Sequence, residues 1–270
     1  MTGDNPMYEF IHRIIYSASE IMLSAHDIEN TINEKSGDAN FVTKYDVEVQ
    51  NYLYSAIGKA MPDAQIIGEE SNDNHMEALM SGVSIIIDPI DGTTNFIHNY
   101  RHSAISVGIA ECGSMVFGAV YDPYQDRLYA AERGMGSFVY TGHGDKKTAL
   151  HVSERSLHDS LACFGTSPYY REELGESTFS AAKWMFMHTR DIRRSGSAAL
   201  DLAYVAAGAV DIFFEYRLSS WDFAAASLLI EEAGGIITQF DNSPITLDKP
   251  CPILAGNRSS HAKALAYFNK

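Results

Sequence analysis

The segment Ile85-Ile86-Ile87-Asp88-Pro89-Ile90-Asp91-Gly92-Thr93-Thr94-Asn95-Phe96 runs an apolar stretch straight into two acids, a glycine and two hydroxyls. Carboxylates displayed at a strand end, three residues apart with Pro89 stiffening the turn, suit a hard, oxygen-seeking cation such as Mg²⁺. The carbonyl of Ile90 is a further candidate ligand. After Gly92, the run Thr93-Thr94-Asn95-Phe96 reads as a first helical turn, whose free N–H groups and positive dipole end favour a phosphate. Metal and phosphate would then lie side by side. The plain alternative is a strand-to-helix turn with an Asx-type cap.

Two weaker motifs repeat the theme. Ile66-Ile67-Gly68-Glu69-Glu70-Ser71 is another short apolar strand ending in acids, although adjacent glutamates on a loop are ordinarily solvated. Ser220-Trp221-Asp222-Phe223-Ala224-Ala225-Ala226 sets one Asp at the start of an Ala-rich buried helix, where it is either a ligand or an N-cap. The ten histidines show no HExxH-like spacing and read as surface or structural residues.

These motifs need a scaffold. Apolar residues recur every three to four positions from Tyr8 to Glu29, which predicts an amphipathic helix. A second helix is expected from about Lys44 to Lys59, stopping before Pro62, with the polar loop Asn33 to Asn40, containing Lys35, between the two. Strands are expected at Ser84–Asp88, Ser103–Ala110, Ser114–Tyr121 and Arg127–Glu132, forming an antiparallel sheet. The second half reads as strand Leu161–Phe164, helix Ser177–Met187, helix Ala198–Ala207 and strand Asp211–Glu215. A helix from Asp222 to Gly234-Gly235 follows, then strands Ile236–Gln239 and Ile253–Ala255 and a closing helix. The order lacks the regular βαβα alternation of a dinucleotide-binding fold, so several packed layers are expected.

A chain of 270 residues, 46% apolar and 20% charged, has the make-up of a folded protein able to bury a large core. Its net charge of -15 disfavours direct nucleic-acid binding, which draws on Lys and Arg. An anionic ligand in such a protein needs a cation held by carboxylates. Three scattered cysteines, Cys112, Cys163 and Cys251, support neither a disulfide framework nor a zinc site and fit a reducing cytoplasm. Neither a signal peptide nor a membrane span is read.

Taken together, Gly68-Glu69-Glu70-Ser71, Asp88 to Phe96, Trp221-Asp222 and Glu232-Ala233-Gly234-Gly235 resemble the inositol monophosphatase family. Lys35, Val42-Thr43-Lys44-Tyr45-Asp46 and Gly196-Ser197-Ala198-Ala199-Leu200 follow in the matching order, so the similarity covers nearly the whole chain. The resemblance implies an α+β (or α/β) fold, a layered α-β-α-β-α sandwich. Residues 1–270 would form one unit, with the metal-site loops in about 1–150 and the substrate pocket and Asp222 in about 151–270. It further implies a Mg²⁺-dependent, Li⁺-inhibited, homodimeric phosphomonoesterase.

Carried over by position, Glu69, Asp88 and the Ile90 carbonyl hold a first Mg²⁺, while Asp88, Asp91 and Asp222 hold a second. A third, weaker ion sits near Glu69. Thr93 with Asp46 orients the attacking water, Gly92 and Thr93 amides grip the phosphate, and Lys35 joins the catalytic group. Asp91 and Asp222 also face the substrate, whose alcohol portion meets Gly196, Ser197, Ala198 and Glu215. General chemistry agrees with this division, because a metal lowers the pKa of water and no covalent intermediate is required.

One stretch departs from the family pattern: Glu215-Tyr216-Arg217-Leu218 places Tyr and Arg where many relatives carry a small residue and Gly. Arg217 is either a contact for a second phosphate or carboxylate, or a solvated or subunit-contacting residue. Inositol monophosphate is the expected substrate; fructose 1,6-bisphosphate, phosphoadenosine phosphate and histidinol phosphate are the alternatives within the same fold. An aspartyl-nucleophile phosphatase is excluded because the residue two before Asp91 is Pro89, and a P-loop protein because GxxxxGK[ST] is absent. From another class, a regulatory or binding protein could keep the fold without activity, as relatives that contact the transcription machinery suggest.

Overall fold

The computed structural model describes residues 6–34, 41–71, 79 and 81–269. Helices α1 (Pro6–Leu23) and α2 (Lys44–Ala60) lie together on one face of a seven-stranded sheet. That sheet has the order β3 (Gln65–Gly68), β4 (Val83–Asp91), β5 (Ala104–Glu111), β6 (Ser114–Asp122), β7 (Arg127–Glu132), β8 (Gly136–Thr141), β9 (Lys146–Ala149). All its pairings are antiparallel except β3 with β4. A five-stranded sheet has the order β11 (Asp191–Arg193), β10 (Leu161–Phe164), β12 (Ile212–Leu218), β14 (Cys251–Gly256), β13 (Ile236–Thr238). Helices α5 (Ala198–Ala206) and α6 (Ser220–Glu232) fill the space between the sheets, and α4 (Arg171–His188) and α7 (Arg258–Phe268) cover the far side. The result is an α-β-α-β-α sandwich.

Strand alternation builds these layers. In β4, Ile85 and Ile87 join the core under α1 and α2, whereas Ile86 faces the core between the sheets. In β12, Phe213 points to that central core, while Ile212 and Phe214 pack with Ala181, Met185 and Ala264 on the outside. Period-two side chains on strands covered on both faces require such continuous apolar runs.

Several boundaries move from the sequence expectation. The first helix ends at Leu23, and the chain turns at Asp27 with a left-handed φ of 51° before a 3₁₀ turn, Ile28–Thr31. Tyr45 fixes that turn, its hydroxyl accepting from His26 N at 3.0 Å and donating to His26 O at 2.8 Å. At the start of the expected polar loop, Asn33 and Glu34 belong to a strand, β1 (Ile32–Glu34), that pairs antiparallel with β2 (Phe41–Thr43). The fourth helix starts six residues early, at Arg171, directly after a 3₁₀ turn begun by Pro168. Strands β8, β9 and β11 lack the apolar alternation that would mark them, and β12 runs on to Leu218. Among the described residues, no helix is long and apolar enough to cross a membrane.

Helix α6 is buried on nearly every side, which explains Ala224-Ala225-Ala226. It lies so close to the seven-stranded sheet that a Cβ on Gly118 would sit 2.2 Å from the Ala225 carbonyl oxygen. Gly118→Ala is therefore expected to lower stability by about 2–3 kcal/mol, because backbone must shift to admit it. Gly58→Ala, in α2 with nothing within 4 Å of the new Cβ, is expected to raise it by up to about 1 kcal/mol. Urea unfolding of the two variants checks both signs.

Candidate metal and phosphate site

Strand β4 carries the first two acids. Residues three apart on a regular strand point to opposite faces, yet Asp88 and Asp91 converge. The register supplies the reason: Asp88 pairs with Ser106 and Asp91 with Ala104, three residues against two, so the strand holds a bulge. Pro89 sits inside the bulge, where no ladder N–H is needed. Asp88 Oδ1 accepts the Ile90 N–H at 3.0 Å, which stiffens the turn.

Asp91 reaches the start of α5. Its Oδ2 accepts from Ala199 N at 2.9 Å and from the hydroxyl of Ser197, which in turn caps α5 by accepting from Leu200 N. Asp222 belongs to α6, but as its third residue. Ser219 is the N-cap, and Asp222 Oδ2 accepts Ser219 N at 2.7 Å in a capping box. The sequence alternative of Asp222 as N-cap is thereby corrected. Asp88, Asp91 and Asp222 each present a carboxylate oxygen, all within 4.8 Å of one another.

Glu69 follows β3, its N–H donating to Ile87 O at 3.2 Å so that the parallel ladder delivers it beside Asp88. Burial raises Asp88 well above the usual carboxylate range, and the charges of Glu69, Asp91 and Asp222 add to it. Asp222 is raised by burial and then by Glu69 and Asp91. Asp91 is pushed up to about 6 by burial, against the lowering effect of its Ser197 and Ala199 hydrogen bonds. This concentration of negative charge is what a hard divalent cation relieves.

Thr93 opens α3 (Thr93–Ile97), with its hydroxyl 3.2 Å from the Ile90 carbonyl and 3.4 Å from Asp46 Oδ1. Asp46 is oriented by a second capping box, accepting Thr43 N at 2.7 Å and Thr43 Oγ1 at 2.5 Å. Gly92 has φ +87°, and a Cβ there would meet the Gly196 carbonyl at 3.0 Å. Gly196 itself has φ +96° and packs on the Asn95 amide, which donates to Ser195 O at 3.0 Å. The structure thus brings together Asp46, Glu69, Asp88, Ile90, Asp91, Gly92, Thr93, Gly196, Ser197, Ala198, Glu215 and Asp222. Lys35 lies outside the described residues.

A cleft of about 350 Å³ extends from the acids to a wall of Gly165 to Tyr170 and the end of β12. Glu215 hangs from that wall, its Oε1 accepting Ser167 N at 2.8 Å and Ser167 Oγ at 3.0 Å. Gly165 leaves room for this side chain, since a Cβ there would fall 1.7 Å from the Glu215 carboxylate and displace it. Tyr169, half exposed, also lines the cleft, and partial desolvation followed by the charges of Glu69, Asp222, Asp88 and Asp91 raises its phenol. Sequence reading missed this wall and the Thr43 and Ser219 caps. The caps were legible as [ST]-x-x-D spacings before helices; the wall carries no motif.

Glu215 is pushed up to about 7, chiefly by burial, from an ordinary value of 4.5. A folded-state value above the unfolded one means stability fully present below about pH 4.5 and lost as pH rises through about 7. In metal-free protein, Glu215→Gln, which keeps the acceptor for Ser167, should therefore outlast the wild type by a margin growing from pH 5 to pH 8. The limit is about 3 kcal/mol. Unfolding midpoints across that range in a chelator test it, and a pH-independent margin would refute it.

Comparison with known proteins agrees with the geometry. The model of the inositol monophosphatase family matches residues 4–270. An inositol-1-monophosphatase of Bacillus subtilis is 36% identical over 246 residues, 91% of this chain and 89% of that protein. The Nus factor SuhB of Escherichia coli K12 is 35% identical over 237 residues, 87% of this chain and 86% of its own length. The crystal structure of the extragenic suppressor protein suhB from Bartonella henselae superposes with a TM-score of 0.88 at 30% identity, covering 98% of this chain and 99% of that one. With its acids, bulge and layered sheets in place, the chain belongs to the inositol monophosphatase family.

Proposed function

We propose that the chain is a Mg²⁺-dependent phosphomonoesterase that hydrolyses inositol monophosphate to inositol and phosphate. The observation carrying this reading is the carboxylate trio of buried Asp88 and Asp91 with partly buried Asp222, all within 4.8 Å. An oxygen-only donor set suits Mg²⁺ rather than softer metals. Glu69, Asp88 and the Ile90 carbonyl are assigned to one ion and Asp88, Asp91 and Asp222 to a second. When bound, the metal supplies charge neutralisation at the phosphate and a lowered pKa for water. The name of the Bacillus subtilis relative supports the choice of ester.

The remaining chemistry belongs to this chain's own groups. With its proton directed to Asp46, the Thr93 hydroxyl offers lone pairs to an attacking water and sets its approach. Gly92 has no side chain to block the phosphate, whose oxygens are assigned to the Gly92 and Thr93 N–H groups. Gly196, Ser197, Ala198 and Glu215 line the side of the cleft assigned to the alcohol. Glu215, buried on that side and fixed by Ser167, is assigned to a hydroxyl of the polyol. Lys35 stays among the proposed catalytic positions on family likeness alone. The relatives named Nus factor support a second reading, a binding role in which the acids are kept but idle.

Phosphate release from inositol 1-phosphate is expected with Mg²⁺ and abolished by EDTA. Asp91→Asn should lower kcat about a thousandfold and Thr93→Ala about a hundredfold. Mg²⁺ should raise the unfolding midpoint of wild type and of Thr93→Ala, but not of Asp91→Asn. Turnover indifferent to chelation would sink this reading, whereas Mg²⁺ stabilisation without turnover would select the binding role.

A further inference from the structure

Six acids line the cleft, Glu69, Asp88, Asp91, Asp201, Glu215 and Asp222, against two cationic side chains, Arg194 and Arg217. Four of the eleven arginines are engaged by carboxylates among the described residues. Arg133, Arg155, Arg190 and Arg193 each form an ion pair. Among the described residues, Arg217 makes none, although Glu215 lies two positions away. It is exposed at the cleft mouth, with its guanidinium 4.3 Å from the centre of the Tyr170 ring.

That position is built. Between Glu215 and Leu218, β12 slips its register against β14 in an irregularity of the kind that re-aims side chains. Ser167 clasps the segment twice, its N–H donating to Glu215 Oε1 at 2.8 Å and its hydroxyl to the Arg217 carbonyl at 3.0 Å. The Tyr170 face holds the guanidinium by cation–π attraction while leaving its N–H edge available. A planar fork so held, in the same cleft as the carboxylate trio, matches the oxygens of a phosphate.

We propose that Arg217 binds a second phosphate on the substrate, so that this chain accepts bisphosphates beside inositol monophosphate and favours each over the matching monophosphate. The inference rests on the phosphatase reading above and extends its substrate class. Tyr170 acts as a positioning residue by restricting where the guanidinium points.

The test uses matched pairs in which the second phosphate is the only difference: inositol 1-phosphate with inositol 1,4-bisphosphate, and fructose 1-phosphate with fructose 1,6-bisphosphate. In wild type, kcat/KM is expected to favour the bisphosphate. Arg217→Ala should reduce that preference about tenfold or more, mainly through KM. Arg217→Lys should keep part of it, and Tyr170→Leu should weaken it less than Arg217→Ala does. An equal loss on both members of each pair, or an unchanged preference in both pairs, overturns the proposal. If no ester is hydrolysed, the phosphatase reading has failed, and equilibrium binding of the same esters decides Arg217 separately. An affinity ratio unaltered by Arg217→Ala then overturns this inference as well.

Discussion

Three carboxylates gathered within 4.8 Å, two of them buried, repel one another and lose water, and the fold is arranged to hold them nonetheless. It does so by giving each acid a backbone anchor. Asp91 takes the first amides of α5, Asp222 takes the N-cap amide of α6, and Asp88 takes an amide within its own bulge. In each case one carboxylate oxygen is held by a backbone N–H. Asp46 repeats the device at the start of α2.

The layers follow from that arrangement. For α6 to begin at the acids of β4 it must lie close against the first sheet, and Gly108, Gly118 and the Ala224-Ala225-Ala226 run permit the approach. The second sheet then closes over α5 and α6, and β12 brings Glu215 and Arg217 to the opposite wall. Backbone irregularities mark both walls: the bulge at Pro89 on one side and the register slip after Glu215 on the other.

Much of this was legible in the sequence because the signals are local. The apolar run into Asp88, the helical spacing of Ile11, Ile14, Ile15 and Ala18, and the Gly-Gly after α6 depend on neighbours a few residues away. The family likeness supplied the grouping of distant motifs that spacing could not. What escaped depends on distant partners: the end of α1 is fixed by Tyr45, and the Gly165 to Tyr170 wall is set by Glu215. Strands β8 and β9, lying toward one edge of the sheet, carry too little apolar alternation to be seen.

The capping boxes at Asp46 and Asp222 carry an evolutionary consequence. Each acid begins a helix that supports the core, besides the chemistry proposed for it. A descendant that abandoned catalysis would still be selected to keep these residues, because losing them unravels a helix start. Retained acids at such positions therefore record the ancestry of the fold and cannot by themselves certify a working enzyme, which is how catalysts and non-catalytic partners could share one signature.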